Sequence, residues 1–155
     1  MAIGDRGVQT MTIRALTADD RIAWDRLWQG YQTFYKVSIA PEVSDLTFGR
    51  LLDPAERMHC ALVLHEDDPV GFVHFLYHRS TWTSGDYCYL QDLFVGDEQR
   101  GRGLGRKLIE HVYETANSSG ASRVYWLTHE TNTDAMLLYD RIADRSGFLQ
   151  YRKIL

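Results

Sequence analysis

The 155-residue chain predicts a mixed α/β fold, one mostly antiparallel, twisted sheet with about four helices on its faces. Three observations predict it. Short apolar runs with a period of two recur as strands, among them "MTIRAL", "HCALVLHE", "VGFVHFLYH" and "YCYLQDLFV". Apolar residues at three- and four-residue steps mark amphipathic helices between them. The order is strand, two helices, three antiparallel strands, helix, strand, helix, strand, with no linker or repeat to divide it.

Each element has a local reason. In "MTIRAL", Met11, Ile13 and Ala15 share one face of a first strand. Thr17 and Asp20 have the spacing of a capping box and open a helix striped with Trp24, Leu27, Trp28, Tyr31, Phe34 and Tyr35. The N-terminal half of that stripe is core, while the phenol-rich end "YQTFY" is a candidate cleft wall. Pro41 sits in the first turn of a short second helix. Two strands joined at the turn "DDP" form a hairpin, and the polar turn "TWTSGD" leads into "YCYLQDLFV", the most strand-like segment. Leu104, Leu108, Val112 and Ala116 lie on one face of the next helix. "SRVYWLTH" reads as a strand, "NTDAMLLYDRI" as a helix opened by Asn132 or Asp134, and "GFLQYRKIL" as a closing strand.

Length predicts a single domain over residues 1–155, able to bury about 70 % of its unfolded-chain surface, with residues 1–10 a short arm. A net charge of −4 disfavours general attraction to nucleic acid or anionic membrane. No apolar run is long enough for a membrane span and the N-terminus lacks a signal-peptide core, so a cytoplasmic protein is expected. Cys60 and Cys88 lie in apolar runs without CxxC spacing and read as reduced, buried thiols. The six histidines lack metal-ligand spacing, and His59, His65, His74 and His78 read as surface or core residues.

Against this acidic background, "EQRGRGLGRKLIEHV" places Arg100, Arg102, Arg106 and Lys107 among Gly101, Gly103 and Gly105. Glycines that follow a strand and open a helix leave backbone N–H groups facing outward, and the helix dipole adds positive potential there. The arrangement suits a phosphate. It is not a Walker A loop, since Leu108 follows Lys107 where a hydroxyl residue is needed. Nor is it a dinucleotide fingerprint, because the spacing is GxGxG and the loop comes late in the chain.

The segment "RGRGLG" (100–105) resembles the Q/R-x-x-G-x-G/A signature of the GNAT acetyltransferases, which bind acetyl-coenzyme A. "YLQDLFVGDEQ" is similar to that superfamily's fourth strand, and Asn132, Ala135 and "LLY" ending at Tyr139 resemble its later cofactor segment. The likeness runs from "TIRALTADD" to the end of the chain and is greatest to the spermidine/spermine-acetyltransferase-like branch. There are departures. Gln91 stands where polyamine-acetylating members carry glutamate, and Phe34, Tyr35 and Lys36 stand where their first helix ends in acidic residues. Ala143-Asp144 replaces the usual Gly-Phe.

The resemblance implies the GNAT acyl-coenzyme A N-acyltransferase fold, with acetyl-coenzyme A as co-substrate and no metal. The pyrophosphate would lie on the amides of Gly101, Arg102, Gly103, Leu104, Gly105 and Arg106, beside Arg100. The pantetheine arm would run like an added strand along Leu93, Phe94 and Val95, with Asn132 and Ala135 farther along it. Tyr139 takes the family position of the general acid, a hydroxyl donor that stays protonated at neutral pH. Gln91 cannot take a proton, so Asp92, Glu130 or a water relay are the candidates for base. Strict alternation turns Asp92 away from the Gln91 face unless a bulge intervenes. Tyr31, Tyr35, Trp82 and Trp126 are candidate walls of an acceptor cleft, with Gln91 and Asp92 at its floor.

The expected reaction is transfer of an acetyl group to a primary amine of a small polyamine-like or amino-acid-like molecule, in a homodimeric enzyme. Acetylation of a protein lysine or N-terminus, and a non-catalytic acyl-coenzyme A-binding module, are the alternatives.

Overall fold

The computed structural model describes residues 10–155, so the expected N-terminal arm lies outside them except for Thr10. The elements are β1 (Met11–Ala15), α1 (Arg21–Tyr35), α2 (Pro41–Leu52), β2 (Met58–His65), β3 (Asp68–His78), β4 (Tyr87–Val95), α3 (Leu104–Ser118), β5 (Arg123–Tyr125) and α4 (Thr133–Ile142). They form one five-stranded sheet in the order β1-β2-β3-β4-β5. Neighbours are antiparallel except β4 and β5, which run parallel. The mixed sheet with helices on both faces is therefore the one predicted.

Alternation along β2 and β3 divides the core into two layers. Cys60, Leu62 and Phe72 turn toward α1 and α2, where they meet Trp24, Leu27, Trp28 and Phe48. Ala61, Val63, Val73 and Phe75 turn toward α3, where Leu104, Leu108, Val112 and Ala116 form the expected buried stripe. Gly30 lets α1 approach β4 closely, since a Cβ there would lie 2.8 Å from the Phe94 ring. Cys60 and Cys88 are buried free thiols on opposite faces. Among the described residues, no helix is long and apolar enough to cross a membrane.

Three details differ from the expectation. The β2–β3 turn falls at Glu66-Asp67, both at positive φ, so Asp68 and Pro69 already belong to β3. The run 122–129 keeps strand geometry only over Arg123–Tyr125. The closing strand "GFLQYRKIL" does not form, and among the described residues no strand pairs with it. Residues 143–155 instead leave α4 as an extended arm, with Phe148, Leu149, Tyr151 and Ile154 each 80–92 % exposed.

The capping box at Thr17 and Asp20 is present, although it opens a single 3-10 turn before α1. Asp20 is buried and accepts from the Thr17 amide at 2.8 Å and from both terminal nitrogens of Arg14 at 2.7 and 2.8 Å. The Arg14 guanidinium, ahead of the Thr17 donors, holds the carboxyl at about 2 against an ordinary 3.8. A depressed folded-state value contributes stability above the unfolded value and loses it as pH falls through the folded one. Asp20→Asn should therefore lower unfolding free energy by about 1–2 kcal/mol at neutral pH. Denaturant titrations should show that deficit closing as pH drops from 3.8 toward about 2.

Candidate active site

The site begins with one extra residue in β4. His74 pairs with Asp92 and Phe75 with Leu90, which leaves Gln91 as an unpaired bulge. Cys88 and Leu90 face the α3 layer before it, whereas Leu93 and Val95 do so after it. Asp92 is thereby turned to the α1 face, overturning the orientation that strict alternation implies. Beyond the bulge β4 also loses its neighbour, because pairing with β5 covers only Tyr87–Tyr89. Among the described residues, no strand lies along the outer edge of Leu93, Phe94 and Val95.

Asp92 sits in a ring of phenols. Its Oδ1 accepts the Tyr31 hydroxyl at 2.6 Å, and its Oδ2 lies 2.9 Å from His74 Nδ1. The Tyr31 and Tyr35 rings are 4.7 Å apart. Burial raises the proton affinity of Tyr31, Tyr35 and Tyr89, and the charge of Asp92 raises each further. These hydroxyls therefore remain donors at neutral pH. Tyr139, on α4, is half-buried and packs edge-on against Trp126 at 5.3 Å. Burial raises its proton affinity too, with the nearby Tyr35 adding to the effect. Among the described residues its hydroxyl has no hydrogen-bond partner.

Four candidates from three separate stretches, Tyr31, Tyr35, Asp92 and Tyr139, thus come together. Trp126 lies in the α3–α4 layer against Tyr113 and Tyr139. Trp82 is exposed on the β3–β4 loop, Gln91 is exposed at the bulge and Glu130 is exposed beyond β5.

The loop after β4 has the backbone geometry of an anion cradle. Gly101 and Gly103 adopt φ of 79° and 73°, which side-chain-bearing residues reach only with strain. Gly103 is the N-cap of α3, and the first intrahelical bond runs from Lys107 to its carbonyl. The amides of Leu104, Gly105 and Arg106 therefore have no intrahelical acceptor. The cations contribute less than their number implies. Arg106 pairs with Glu110 at 2.7 Å, and Arg100 pairs with Asp97 at 3.0 Å while stacking over Phe34 at 4.8 Å. Lys107 lies on the far side of α3, near Met11, Ile13 and Glu114. On α4, Asn132 is the N-cap and its amide donates to Thr128 Oγ1 at 3.3 Å, with Ala135 half-buried one turn on. The helix terminus adds its own positive potential at this loop.

One residue of this region has no counterpart among the sequence candidates. His74 is 3 % exposed and its Nε2 lies 3.1 Å from the Trp24 indole nitrogen. Its place on β3, two residues after Phe72, was the available signal, since alternation puts it opposite the tryptophans of α1.

Residues 24–143 match the Acetyltransferase (GNAT) family. Over 145 residues, 92 % of this chain and 90 % of the other, the sequence is 37 % identical to D-amino-acid N-acetyltransferase HPA3 of Saccharomyces cerevisiae. It is 32 % identical over 87 residues to thialysine N-epsilon-acetyltransferase of Caenorhabditis elegans, covering 56 % of this chain and 54 % of that one. Among solved structures, a probable acetyltransferase superposes with a TM-score of 0.83 at 23 % identity, over 93 % of this chain and 97 % of the other. AAC(6')-Iy, in complex with the bisubstrate analogue CoA-S-monomethyl-acetylneamine, superposes at 0.80 with 17 % identity, over 94 % and 99 %. The family match spans the bulged strand, the glycine loop and Tyr139 alike, and the chain belongs to the acetyltransferase (GNAT) family.

Proposed function

We propose that the protein is an acetyl-coenzyme A-dependent N-acetyltransferase for the primary amine of a small, amino-acid-like or polyamine-like molecule. The observation that carries the reading is the meeting of Asp92, Tyr31 and Tyr35 with Tyr139 beside the open edge of β4. The relatives named for D-amino acids and thialysine support an acceptor of this size. A single carboxylate among phenols suits one ammonium group better than a polycation or a basic peptide, and the exposed Gln91 adds no charge.

The residues present fit the co-substrate. Leu104, Gly105 and Arg106 offer free amides for its pyrophosphate, Gly101 and Gly103 shape the approach, and Leu93 to Val95 offer an unpaired strand edge for the pantetheine arm. Asn132 and Ala135 bound that arm from α4. Acetyl-coenzyme A supplies a thioester whose acetyl carbon passes from sulfur to the attacking nitrogen in a ternary complex. Asp92 holds the incoming ammonium and takes or relays the proton it sheds before attack. Tyr139 gives its hydroxyl proton to the departing sulfur, and a half-buried phenol whose hydroxyl is unshared among the described residues suits that step. The balance is one nitrogen–carbon bond formed and one carbon–sulfur bond broken: the ammonium loses one proton through Asp92 before attack and a second from the tetrahedral nitrogen, which restores Tyr139 by way of water, and the sulfur leaves as the thiol with the proton that Tyr139 gave.

The assembly we propose is a cytoplasmic homodimer, supported by the apolar arm 143–155 and by the short edge strand β5 beside which it finds no partner. A strand-like segment exposed in this way buries its apolar side chains on pairing with a second copy. Light scattering should report a dimer for the full chain and a monomer for a variant ending at Arg145. A full-length monomer would remove the proposal.

Thiol release from acetyl-coenzyme A should depend on an added amine in a panel of D- and L-amino acids, thialysine, polyamines, aminoglycosides and lysine peptides. Tight co-substrate binding without release by any acceptor would instead favour a binding module. Tyr139→Phe should lower kcat about 100-fold with little change in KM for acetyl-coenzyme A. Full kcat in that variant at every pH would exclude the general-acid role. Gly103→Ala imposes about 1–2 kcal/mol of strain at its positive φ. It should raise KM for acetyl-coenzyme A while leaving the amine KM near its original value.

A further inference from the structure

The buried end of the Asp92 network has a chemistry of its own. The Trp24 indole N–H can only donate, so the atom it meets at 3.1 Å, His74 Nε2, must accept. An imidazole that accepts at Nε2 carries its proton on Nδ1, and Nδ1 is the nitrogen 2.9 Å from Asp92 Oδ2. The hydrogen-bond directions therefore run Trp24 to His74 to Asp92, with Tyr31 donating to the other carboxylate oxygen. The ring has little freedom to depart from this arrangement. It lies 4.5 Å from the Phe72 ring, 5.2 Å from Trp28 and 6.1 Å from Trp24. The pairing of His74 with Asp92 across β3 and β4 fixes the backbone from which both side chains start.

We propose that His74 is a positioning residue of the acceptor site, held as the Nδ1–H tautomer by the Trp24 indole so that it aims the Asp92 carboxylate at the incoming amine. The proposal rests on the assignment of Asp92 to the acceptor. A carboxylate offers about four acceptor positions over its two oxygens, and His74 and Tyr31 occupy one on each. The remaining positions have a set direction before the amine arrives, so binding need not restrain a rotating carboxylate. The indole prevents the alternative tautomer, in which Nδ1 would face Asp92 as an acceptor and repel it. His74 does not touch the reacting atoms. Its contribution passes through Asp92.

Two measurements test this. The first needs no activity: ¹⁵N-labelled protein, with His74 signals assigned by their loss in His74→Asn, should show a protonated Nδ1 and a bare Nε2. Trp24→Phe should release the lock at Nε2, whose ¹⁵N signal should lose the shift of a nitrogen that accepts a hydrogen bond. A protonated Nε2 in the wild type overturns the proposal. The second compares variants that melt cooperatively, at a temperature where each is folded. Asparagine places an amide near the Nδ1 position, whereas glutamine and leucine do not. His74→Asn should stay within about threefold of wild type in kcat/KM for the amine, while His74→Gln and His74→Leu fall about 10- to 100-fold. KM for acetyl-coenzyme A should stay unchanged in all three. Equal losses in the asparagine and leucine variants, or a loss confined to acetyl-coenzyme A, overturn the positioning role. A wild-type protein that acetylates no amine defeats the acceptor assignment, while the tautomer measurement still decides whether the lock exists.

Discussion

The bulge at Gln91 is the constraint on which the site depends. Were Gln91 paired in strict alternation instead of bulged out, Asp92 and Phe94 would continue the face set by Cys88 and Leu90. The carboxylate would then enter the apolar layer of Leu104, Leu108 and Val112, where an unpaired charge costs several kcal/mol. Leu93 and Val95 would be lost from that same layer. With the bulge, both leucine and valine stay packed against that layer, and Asp92 meets its two donors on the opposite face. Packing on one side and hydrogen bonding on the other therefore select the same register. The bend that a bulge imposes also accompanies the parting of β4 from β5 after Tyr89 and Tyr125, which leaves the backbone edge open.

Burial then gives the phenols around that carboxylate a common behaviour. Each of Tyr31, Tyr35, Tyr89 and Tyr139 is partly withdrawn from water, which disfavours the phenolate, and Asp92 or a neighbouring tyrosine adds to the effect. Protonated hydroxyls are useful at two points of an acyl transfer, as donors to an anchoring carboxylate and as the acid at a departing sulfur. Tyr31 has its donor bond filled by Asp92. Tyr139 has none among the described residues. In the proposed reaction the same chemical group is thus divided between holding and giving, according to whether a strong acceptor stands within reach.

Much of this was legible in the sequence, and unevenly so. The strands from β1 to β4, the stripe of α3 and the capping box at Thr17 follow from local periodicity and pairwise spacing, which tertiary contacts here only reinforce. The glycine loop was legible because positive φ at Gly101 and Gly103 demands a residue type. For His74 alternation along β3 marks only the face it takes, and nothing near it in sequence marks partners 50 residues upstream and 18 residues downstream. The orientation of Asp92 was withheld for a related reason: a bulge is a pairing event between two strands and leaves no composition of its own. The closing strand was read from a real preference for extended structure in "GFLQYRKIL". Propensity cannot supply the neighbouring strand, and among the described residues there is none.

This unevenness follows the division of labour in the site. The features assigned to the donor substrate are backbone features, namely free amides at a helix start and an unpaired strand edge. Backbone contacts tolerate many side chains but require glycine at particular dihedrals, so they leave a short, portable signature. The features assigned to the acceptor are side chains from α1, β3 and β4, brought together by register and by an inserted residue. Such a set can change one member at a time without disturbing the loop. Under the proposed assignment, a short backbone signature for the donor coexists with an acceptor pocket whose charge is set locally, and that charge reduces to one carboxylate held by one histidine and one tyrosine.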